Sequence, residues 1–238
     1  MADEYAETVR LLWGARPRPA GGPRPTLDLE RIARAGIEIA DADGLADLAM
    51  QRVAGRLGVT KMALYRYVPG RAELVALMVD AAIGPCPAPA EPAGDWREQL
   101  AQWAQALLTR FRQHPWVLEA TVGPRVVGPG ELSWMERAVR ALDGTGLAGA
   151  ERMDAAVLLV GHVRGITQQS RAAGPKGDPE AQLGAILGAL MQEHGERFPA
   201  VTAAVDDAAR SHGQDQAWEF GLHRILDGLA VLIAQRAG

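Results

Sequence analysis

The chain has 238 residues, a formal net charge of −4 and 48% hydrophobic residues. That length accommodates one large domain or two smaller ones, and the apolar fraction excludes a disordered tail. The N-terminus lacks the basic start and apolar core of a secretory signal peptide, and no apolar run approaches the roughly 20 residues of a membrane span. The single cysteine, Cys86, forms neither an intramolecular disulfide nor a zinc site by itself. We therefore expect a cytoplasmic protein with no membrane partner, no metal and no cofactor.

Basic residues are concentrated in two N-terminal segments, residues 10–25 and 51–72, neither of which contains an acid. From residue 85 onward acidic residues are in excess, so a basic face on an acidic body is predicted, as in proteins that contact phosphate groups. The alternative for 51–72 is a solvated basic face without a partner. Residues 1–25 are expected to form a flexible basic arm, because 14–25 (GARPRPAGGPRP) are too rich in Pro and Gly for a helix. A second interpretation is that this arm reaches into a DNA minor groove.

Strand patterns are nearly absent, and apolar residues recur at helical spacing, which predicts an all-α fold. The first helix should span about 27–42, with Thr26 or Asp28 as its N-cap. Further helices are predicted at about 48–57, 61–67, with Thr60 as cap, and 71–83. The four prolines in residues 84–94 mark a domain boundary. Beyond it, helices are predicted at about 95–113, 115–122, 130–143, 149–172, 179–195, 199–211 and 214–236.

Residues 51–67 (QRVAGRLGVTKMALYRY) have the spacing of a helix-turn-helix. Ala54 is small where two helices would cross, and Gly58 stands at the turn, where a positive φ is needed. The positions expected to pack between the helices are apolar; they are Val53, Leu57, Val59 and Leu64.

Residues 57–68 (LGVTKMALYRYV) and 70–74 (GRAEL) resemble the DNA-binding signature of the tetracycline-repressor (TetR) family. Looser matches at Asp95-Trp96, His114-Pro115-Trp116, 144–147 and Phe198-Pro199 resemble the C-terminal domains of the same family. The resemblance implies a homodimeric transcriptional regulator, normally a repressor, that releases operator DNA when a small molecule binds. Its domains would be the arm 1–25, a helix-turn-helix domain 26–84, a linker 85–94 and an effector-binding and dimerisation domain 95–238.

A recognition helix places its N-terminal residues against base edges in the major groove, which here are Thr60, Lys61, Met62 and Ala63. The resemblance adds phosphate contacts from Tyr65, Tyr67 and Arg71, and the basic Arg66 completes the expected DNA-binding set. Two departures from the family are Tyr67, where histidine is common, and Arg71, where lysine is common. The alternative for Tyr65 is a core aromatic.

Tryptophans are concentrated in the first helices after the linker, where the resemblance implies an effector pocket. The residues expected to line it are Trp103, Trp116, Trp134, His162, Ile166 and Gln169. The alternative for each tryptophan and for His162 is a packing role in the core. The last helix has a wide apolar face, and Gly161 and Gly165 permit close approach on an earlier helix, which together predict a four-helix dimer interface.

A different class, a small helical enzyme with a coincidental helix-turn-helix, is the main alternative. The sequence has no Gly-rich phosphate loop after a strand, no His-Glu-x-x-His pair, and no plausible base for a Cys86 nucleophile. A third possibility that the sequence leaves open is a member of the same family that activates transcription or no longer responds to a ligand.

Overall fold

The structure is a computed structural model that describes residues 5–14, 27–88, 94–172, 179–211 and 217–237. Within these ranges the chain forms helices joined by turns and contains no strand, which confirms the all-α prediction. The α-helices, numbered in chain order, are α1 (Ala6–Trp13), α2 (Leu29–Asp43), α3 (Met50–Leu57), α4 (Lys61–Tyr65), α5 (Arg71–Ile83), α6 (Trp96–Gln113), α7 (Val117–Ala120), α8 (Pro129–Ala141), α9 (Gly149–Ala172), α10 (Pro179–His194), α11 (Pro199–Ser211) and α12 (Ala217–Ala237). Short 3-10 turns lie at Leu45–Asp47 and Gly195–Arg197.

The predicted helices are all present, and their ends shift by two residues or fewer where the structure describes them; the predicted start of the last helix, 214–216, lies outside the described residues. α2 begins after Asp28, whose carboxylate accepts the backbone N–H of Arg31 at 2.8 Å. Asp28 is one of the two expected N-caps, and the other, Thr26, lies outside the described residues. α5 has the predicted bounds.

The second and third predicted helices are shorter than expected. α3 begins at Met50 because the preceding residues 45–47 form a 3-10 turn. α4 ends at Tyr65, since the next backbone bond, from the N–H of Tyr67 to the carbonyl of Leu64 at 3.0 Å, closes a tighter turn.

The flexible arm predicted for residues 1–25 is corrected at its beginning, where residues 6–13 form α1. The helix is amphipathic and packs against α5, with Leu12 4% exposed and Thr8 8% exposed. The indole N–H of Trp13 also donates to the carbonyl of Val127 at 3.0 Å. The Pro-rich segment 15–26, to which the minor-groove interpretation applies, lies outside the described residues.

The helix-turn-helix domain is organised around the crossing of α2 and α5. Its core contains Ile32, Val53, Leu64 and Leu74, none of which is exposed. At Gly36 the two helices approach so closely that a Cβ would lie 2.5 Å from the Sδ of Met78. A side chain at this position would displace the fully buried Met78 side chain, so this close packing depends on glycine.

The C-terminal helices pack around α9, which contacts α6, α8 and α12. α5 runs into this domain and contacts α6, α7 and α8. The segment after α5 is fastened to α8, because the backbone N–H of Cys86 donates to Ser133 Oγ at 2.8 Å and the Trp134 indole donates to the carbonyl of Gly84 at 2.9 Å. Of the proposed linker, residues 89–93 lie outside the described residues.

α10 and α11 form a hairpin that contacts the rest of the described chain mainly through α9. Its apolar side chains are largely exposed, including Leu183, Ile186 and Phe198. In the described parts of the chain, no helix combines the length and the apolar character needed to cross a membrane.

Candidate nucleic-acid interface and effector region

The turn between α3 and α4 depends on Gly58, which has a left-handed backbone conformation with φ 68° and ψ 27°. The N–H of Gly58 bonds to the carbonyl of Gly55 at 3.1 Å, and the N–H of Val59 bonds to that of Ala54 at 3.0 Å. This pair of bonds is the Schellman motif, which ends α3 and reverses the chain toward α4. The structure therefore confirms the positive φ that the sequence predicts at this position.

α4 begins as the sequence predicts, with Thr60 as its cap. Thr60 Oγ1 accepts the backbone N–H of Ala63 at 3.2 Å. Leu64 and Val68 are fully buried and fix the face of α4 that packs against the domain. The opposite face is consequently open to solvent.

The expected DNA-binding residues lie together on and around α4, and most of them are exposed. Met62 is 74% exposed, and the rings of Tyr65 and Tyr67 are 36% and 40% exposed. Neither tyrosine is therefore a core aromatic, which was the alternative for Tyr65. The Lys61 Nζ lies 5.6 Å from the centre of the Tyr65 ring, a cation–π distance that keeps the lysine over the exposed face of the helix.

Arg71 has a structural function that the sequence did not indicate. Its Nε donates to the carbonyl of Leu48 at 3.1 Å, and its Nη2 donates to that of Leu45 at 2.8 Å. Arg71 thereby ties the start of α5 to the 3-10 turn before α3. The side chain remains accessible, so a phosphate contact from its Nη1 is compatible with these bonds.

Two arginines of the acid-free segment 51–72 are neutralised by acids from α2. Arg52 pairs with Asp43 at 2.6 Å, and Arg56 pairs with Glu38 at 2.8 Å. Both pairs are exposed, and such pairs contribute about 0–1 kcal/mol to stability. A charge count along the sequence did not reveal them, because the partners are separated by nine and 18 positions. The basic character of this face therefore rests on Lys61, Arg66 and Arg71, because the backbone carbonyls that Arg71 bonds carry no net charge.

Two carboxylates of the helix-turn-helix domain make polar contacts with the C-terminal domain that the sequence did not predict. Asp41, in the last turn of α2, accepts the Trp116 indole N–H at 2.7 Å and lies 2.9 Å from His114 Nδ1. Asp80, near the end of α5, accepts the backbone N–H of Glu131 at 3.0 Å. The residue at the N-cap of α8 is a glycine without a side-chain acceptor, so the carboxylate from α5 caps that helix.

The three tryptophans expected at the effector pocket are buried in the core of the C-terminal domain, each less than 6% exposed. Trp103 and Trp134 form an edge-to-face pair with ring centres 6.0 Å apart, and the Trp103 indole donates to the carbonyl of Trp134 at 2.9 Å. The structure brings these two together, while Trp116 is engaged with Asp41. Trp103 also lines a small cavity of about 50 Å³ beside Cys86, Gln99 and Gln102.

The remaining expected effector residues lie along α9. His162 Nε2 lies 2.9 Å from the carbonyl oxygen of Trp218, and the two rings stack with centres 5.2 Å apart. Ile166 is half-buried against the core, whereas Gln169 is exposed. The arrangement places His162 between α9 and α12, and no contact joins it to Trp103 or Trp134 among the hydrogen bonds and ring contacts of the described residues.

Cys86 is half-buried beside this small cavity. Burial raises the pKa of its thiol to about 11, and the nearby Arg137 lowers it to a smaller extent. The thiol is therefore neutral at physiological pH, unlike an activated cysteine nucleophile.

Apolar side chains on α9 and α12 remain exposed in the single chain. They include Val157, Leu158, Phe220 and Val231. At Gly161, Gly165 and Gly228 a Cβ would meet no atom within 4 Å, so these positions face open space. A surface of this kind, open at glycines and apolar around them, is typical of helices that pack against another chain.

The exposed α4 on a helix-turn-helix, connected through α5 to a larger helical domain, defines a DNA-binding transcriptional regulator. A family model described as the tetracyclin repressor-like C-terminal domain matches residues 88–233. The chain is also 37% identical over 243 residues to the HTH-type transcriptional repressor DrrR1 of Streptomyces coeruleorubidus, covering 99% of this chain and 89% of that protein. The chain therefore belongs to the tetracycline-repressor family.

Solved structures agree with this assignment. Apo ActR from Streptomyces coelicolor superposes with a TM-score of 0.73 and 27% identity, covering 90% of this chain and 99% of that chain. ActR in complex with actinorhodin superposes with a TM-score of 0.70 and 29% identity, covering 89% of this chain and 99% of that chain. The helix-turn-helix and the helical C-terminal domain of this chain are thus the fold of known family members.

Proposed function

We propose that this protein is a homodimeric repressor that binds an operator through α4 and leaves it when a small molecule binds the C-terminal domain. The observation that supports this most directly is α4 itself, whose buried Leu64 fixes the helix while Lys61 and Met62 project from it. DrrR1, its similar relative, is named as a repressor, and ActR has been solved with a bound small molecule. Regulation, not catalysis, is therefore the proposed activity, and the cytoplasm its proposed location.

Contacts with bases are assigned to the first turn of α4. Thr60, Lys61, Met62 and Ala63 lie at the end of the helix that enters a major groove in helix-turn-helix proteins. Lys61 carries donors for guanine O6 or N7, and the Met62 side chain supplies apolar contact for a thymine methyl group.

Contacts with phosphates are assigned to the residues that flank this turn. The hydroxyl groups of Tyr65 and Tyr67 and the charges of Arg66 and Arg71 are available for backbone oxygens. Such contacts fix the position of the domain on the duplex and carry little information about its sequence.

Dimerisation is assigned to the exposed apolar faces of α9 and α12. Two copies of this pair would form a four-helix interface, and its apolar residues would be removed from water. A symmetric dimer would present two α4 helices to half-sites about one helical turn apart, roughly 34–36 Å.

Release from the operator is assigned to a change in the position of α5 and α2 relative to the C-terminal domain. Asp80 ties the end of α5 to α8, and Asp41 ties α2 to the segment before α7. A ligand that moves these C-terminal elements therefore changes the separation of the two α4 helices. The dimer would then exchange between an operator-binding geometry and a released geometry. To shift the ratio of released to operator-binding dimer from 1:99 to 99:1, the ligand must bind the released geometry more favourably by about 5.5 kcal/mol.

The proposal is tested by selecting bound fragments from genomic DNA with the purified protein and sequencing them. We expect a two-fold symmetric motif, which is then bound in a gel shift and released by one compound of a small-molecule panel. Recovery of fragments without a common motif would contradict sequence-specific binding.

A further inference from the structure

An open groove of about 610 Å³ lies between the end of α1, the outer face of α8 and the start of α9. Its apolar walls are Trp13, Leu132, Met135, Val139 and Met153, and we call it the α8–α9 groove. The volume lies within the range of about 300–1,000 Å³ that is typical of small-molecule sites. Neither the expected effector residues nor the DNA-binding residues contribute to its walls.

Trp13 is held in place as one wall of this groove. The adjacent Leu12 is buried in the core, and the Trp13 indole N–H is fixed to the carbonyl of Val127 at 3.0 Å. The indole nevertheless remains 47% exposed. A large aromatic face that is both rigid and open to solvent loses little conformational entropy when a flat ligand stacks on it.

The polar side chains of the groove are already engaged within the protein. Ser133 Oγ donates to the carbonyl of Gly130 at 2.5 Å and accepts the N–H of Cys86 at 2.8 Å. Glu136, which is the charged residue in the lining, is neutralised by Arg140 at 2.5 Å. Because Ser133 and Glu136 are already bonded, they are not available to the N–H and C=O groups of a docked peptide. Each such backbone group that became buried without a partner would cost about 1–3 kcal/mol. An uncharged aromatic molecule has no such cost.

From this combination we propose that the α8–α9 groove is a binding site for a small, flat, uncharged aromatic molecule. Trp13 supplies the stacking surface, and Met135 and Met153 supply flexible thioether side chains that adapt to the outline of a ligand. The site is separate from the cavity beside Trp103. It does not depend on the proposed repressor activity, because binding can be measured without DNA.

The test uses the full-length protein and the neutral fluorescent probe N-phenyl-1-naphthylamine, whose emission rises in apolar surroundings. We expect saturable binding by the wild type and an affinity at least about tenfold lower for Trp13→Ala, the equivalent of about 1.4 kcal/mol. Trp13→Phe, which keeps an aromatic ring, should retain most of the affinity. Leu132→Arg, which places a charge in the groove, should abolish binding, and circular dichroism confirms that each variant is folded.

The matched control is Phe198→Ala, which removes an aromatic ring of the same exposure, 47%, outside the groove lining. This variant should bind the probe as the wild type does. The proposal is overturned if the wild type does not bind, or if either Trp13→Ala or Leu132→Arg binds as the wild type does. It is also overturned if light scattering shows that Leu132→Arg halves the molecular mass, since the groove would then be an interface between two copies. Operator binding, measured in parallel, separates these results from any failure of the repressor proposal.

Discussion

The side chains of Asp41 and Trp116 join the two domains through a hydrogen bond of 2.7 Å. Trp116 is 1% exposed and directly precedes α7, whereas Asp41 lies in the last turn of α2. The indole N–H of Trp116 is thus buried at the domain boundary, and a carboxylate of the helix-turn-helix domain satisfies it. If α7 is displaced, either α2 moves with it or this hydrogen bond breaks.

Replacing Asp41 with alanine should lower the free energy of unfolding by about 1–3 kcal/mol, because the buried indole N–H loses its acceptor. Urea unfolding followed by circular dichroism measures this change. Asp47→Ala, an exposed acid in the neighbouring 3-10 turn, is the control and should stay within about 0.5 kcal/mol of the wild type. Equal stability of the two variants would show that the contact contributes nothing.

Gly58 and Gly55 offer a matched test of the helix-turn-helix geometry. A Cβ added at either position meets no atom within 4 Å, so only the backbone conformation distinguishes them. Gly58→Ala should destabilise the protein by about 1–2 kcal/mol, because alanine is strained at a positive φ. Gly55→Ala, in the helical backbone of α3, should instead stabilise it by about 0.5–1 kcal/mol. The opposite signs are the expected result, and thermal unfolding of both variants measures them.

The helix-turn-helix could be predicted from sequence because its determinants are local. Gly58 needs a positive φ, Thr60 caps the next helix, and Leu64 follows at the spacing of a buried position. These features operate over a few residues and therefore appear directly in the sequence. α1 was not predicted, because the Pro- and Gly-rich residues 14–25 that follow it favour an arm without helix over the whole of 1–25.

The contacts between distant segments could not be predicted in the same way. Asp41 and Trp116 are 75 positions apart, and nothing in the sequence indicates that they meet. His162 was expected to point into an effector pocket, yet its partner in the structure is Trp218, 56 positions later. A helical spacing shows which residues share a face, but not which other helix that face contacts.

Lys61 and Tyr65 should differ in what they contribute to DNA binding. Lys61→Ala should relax the preference at one base position, with a loss of about 1–3 kcal/mol on the preferred operator. Tyr65→Phe, which removes only the hydroxyl group, should weaken binding to all sequences by similar factors. Selection from a randomised operator library, followed by fluorescence anisotropy, measures both effects.

Two further variants complete that experiment. Arg71→Ala should reduce operator affinity and also the free energy of unfolding, since its bonds to Leu45 and Leu48 are lost. Arg112→Ala, an exposed arginine on α6, should change neither. If Lys61→Ala and Tyr65→Phe selected and bound the library as the wild type does, α4 would not be the recognition helix.

The exposed faces of α9 and α12 should hold the dimer together. Val157→Arg and Phe220→Arg each place a charge on a residue that is more than half exposed in the single chain, so folding should survive. Burying that charge at an interface is costly, and both variants should be monomers at micromolar concentration. Light scattering measures the mass, with Val122→Arg, a 73% exposed loop residue, as the dimeric control. A monomeric wild type would contradict the assignment outright.

The effector pocket is best tested by changes that do not disrupt the core. Trp134 is 3% exposed, and its replacement by alanine would cost about 3–5 kcal/mol and confuse binding with unfolding. Trp103→Phe keeps an aromatic ring and removes the indole donor, while His162→Ala removes the ring that stacks on Trp218. With a compound that releases the operator from the wild type, each variant should need at least about ten times more compound, while its operator affinity stays near wild type. Tryptophan fluorescence should change as the compound binds. If both variants released DNA at the wild-type concentration, the pocket would lie elsewhere and the repressor proposal would stand.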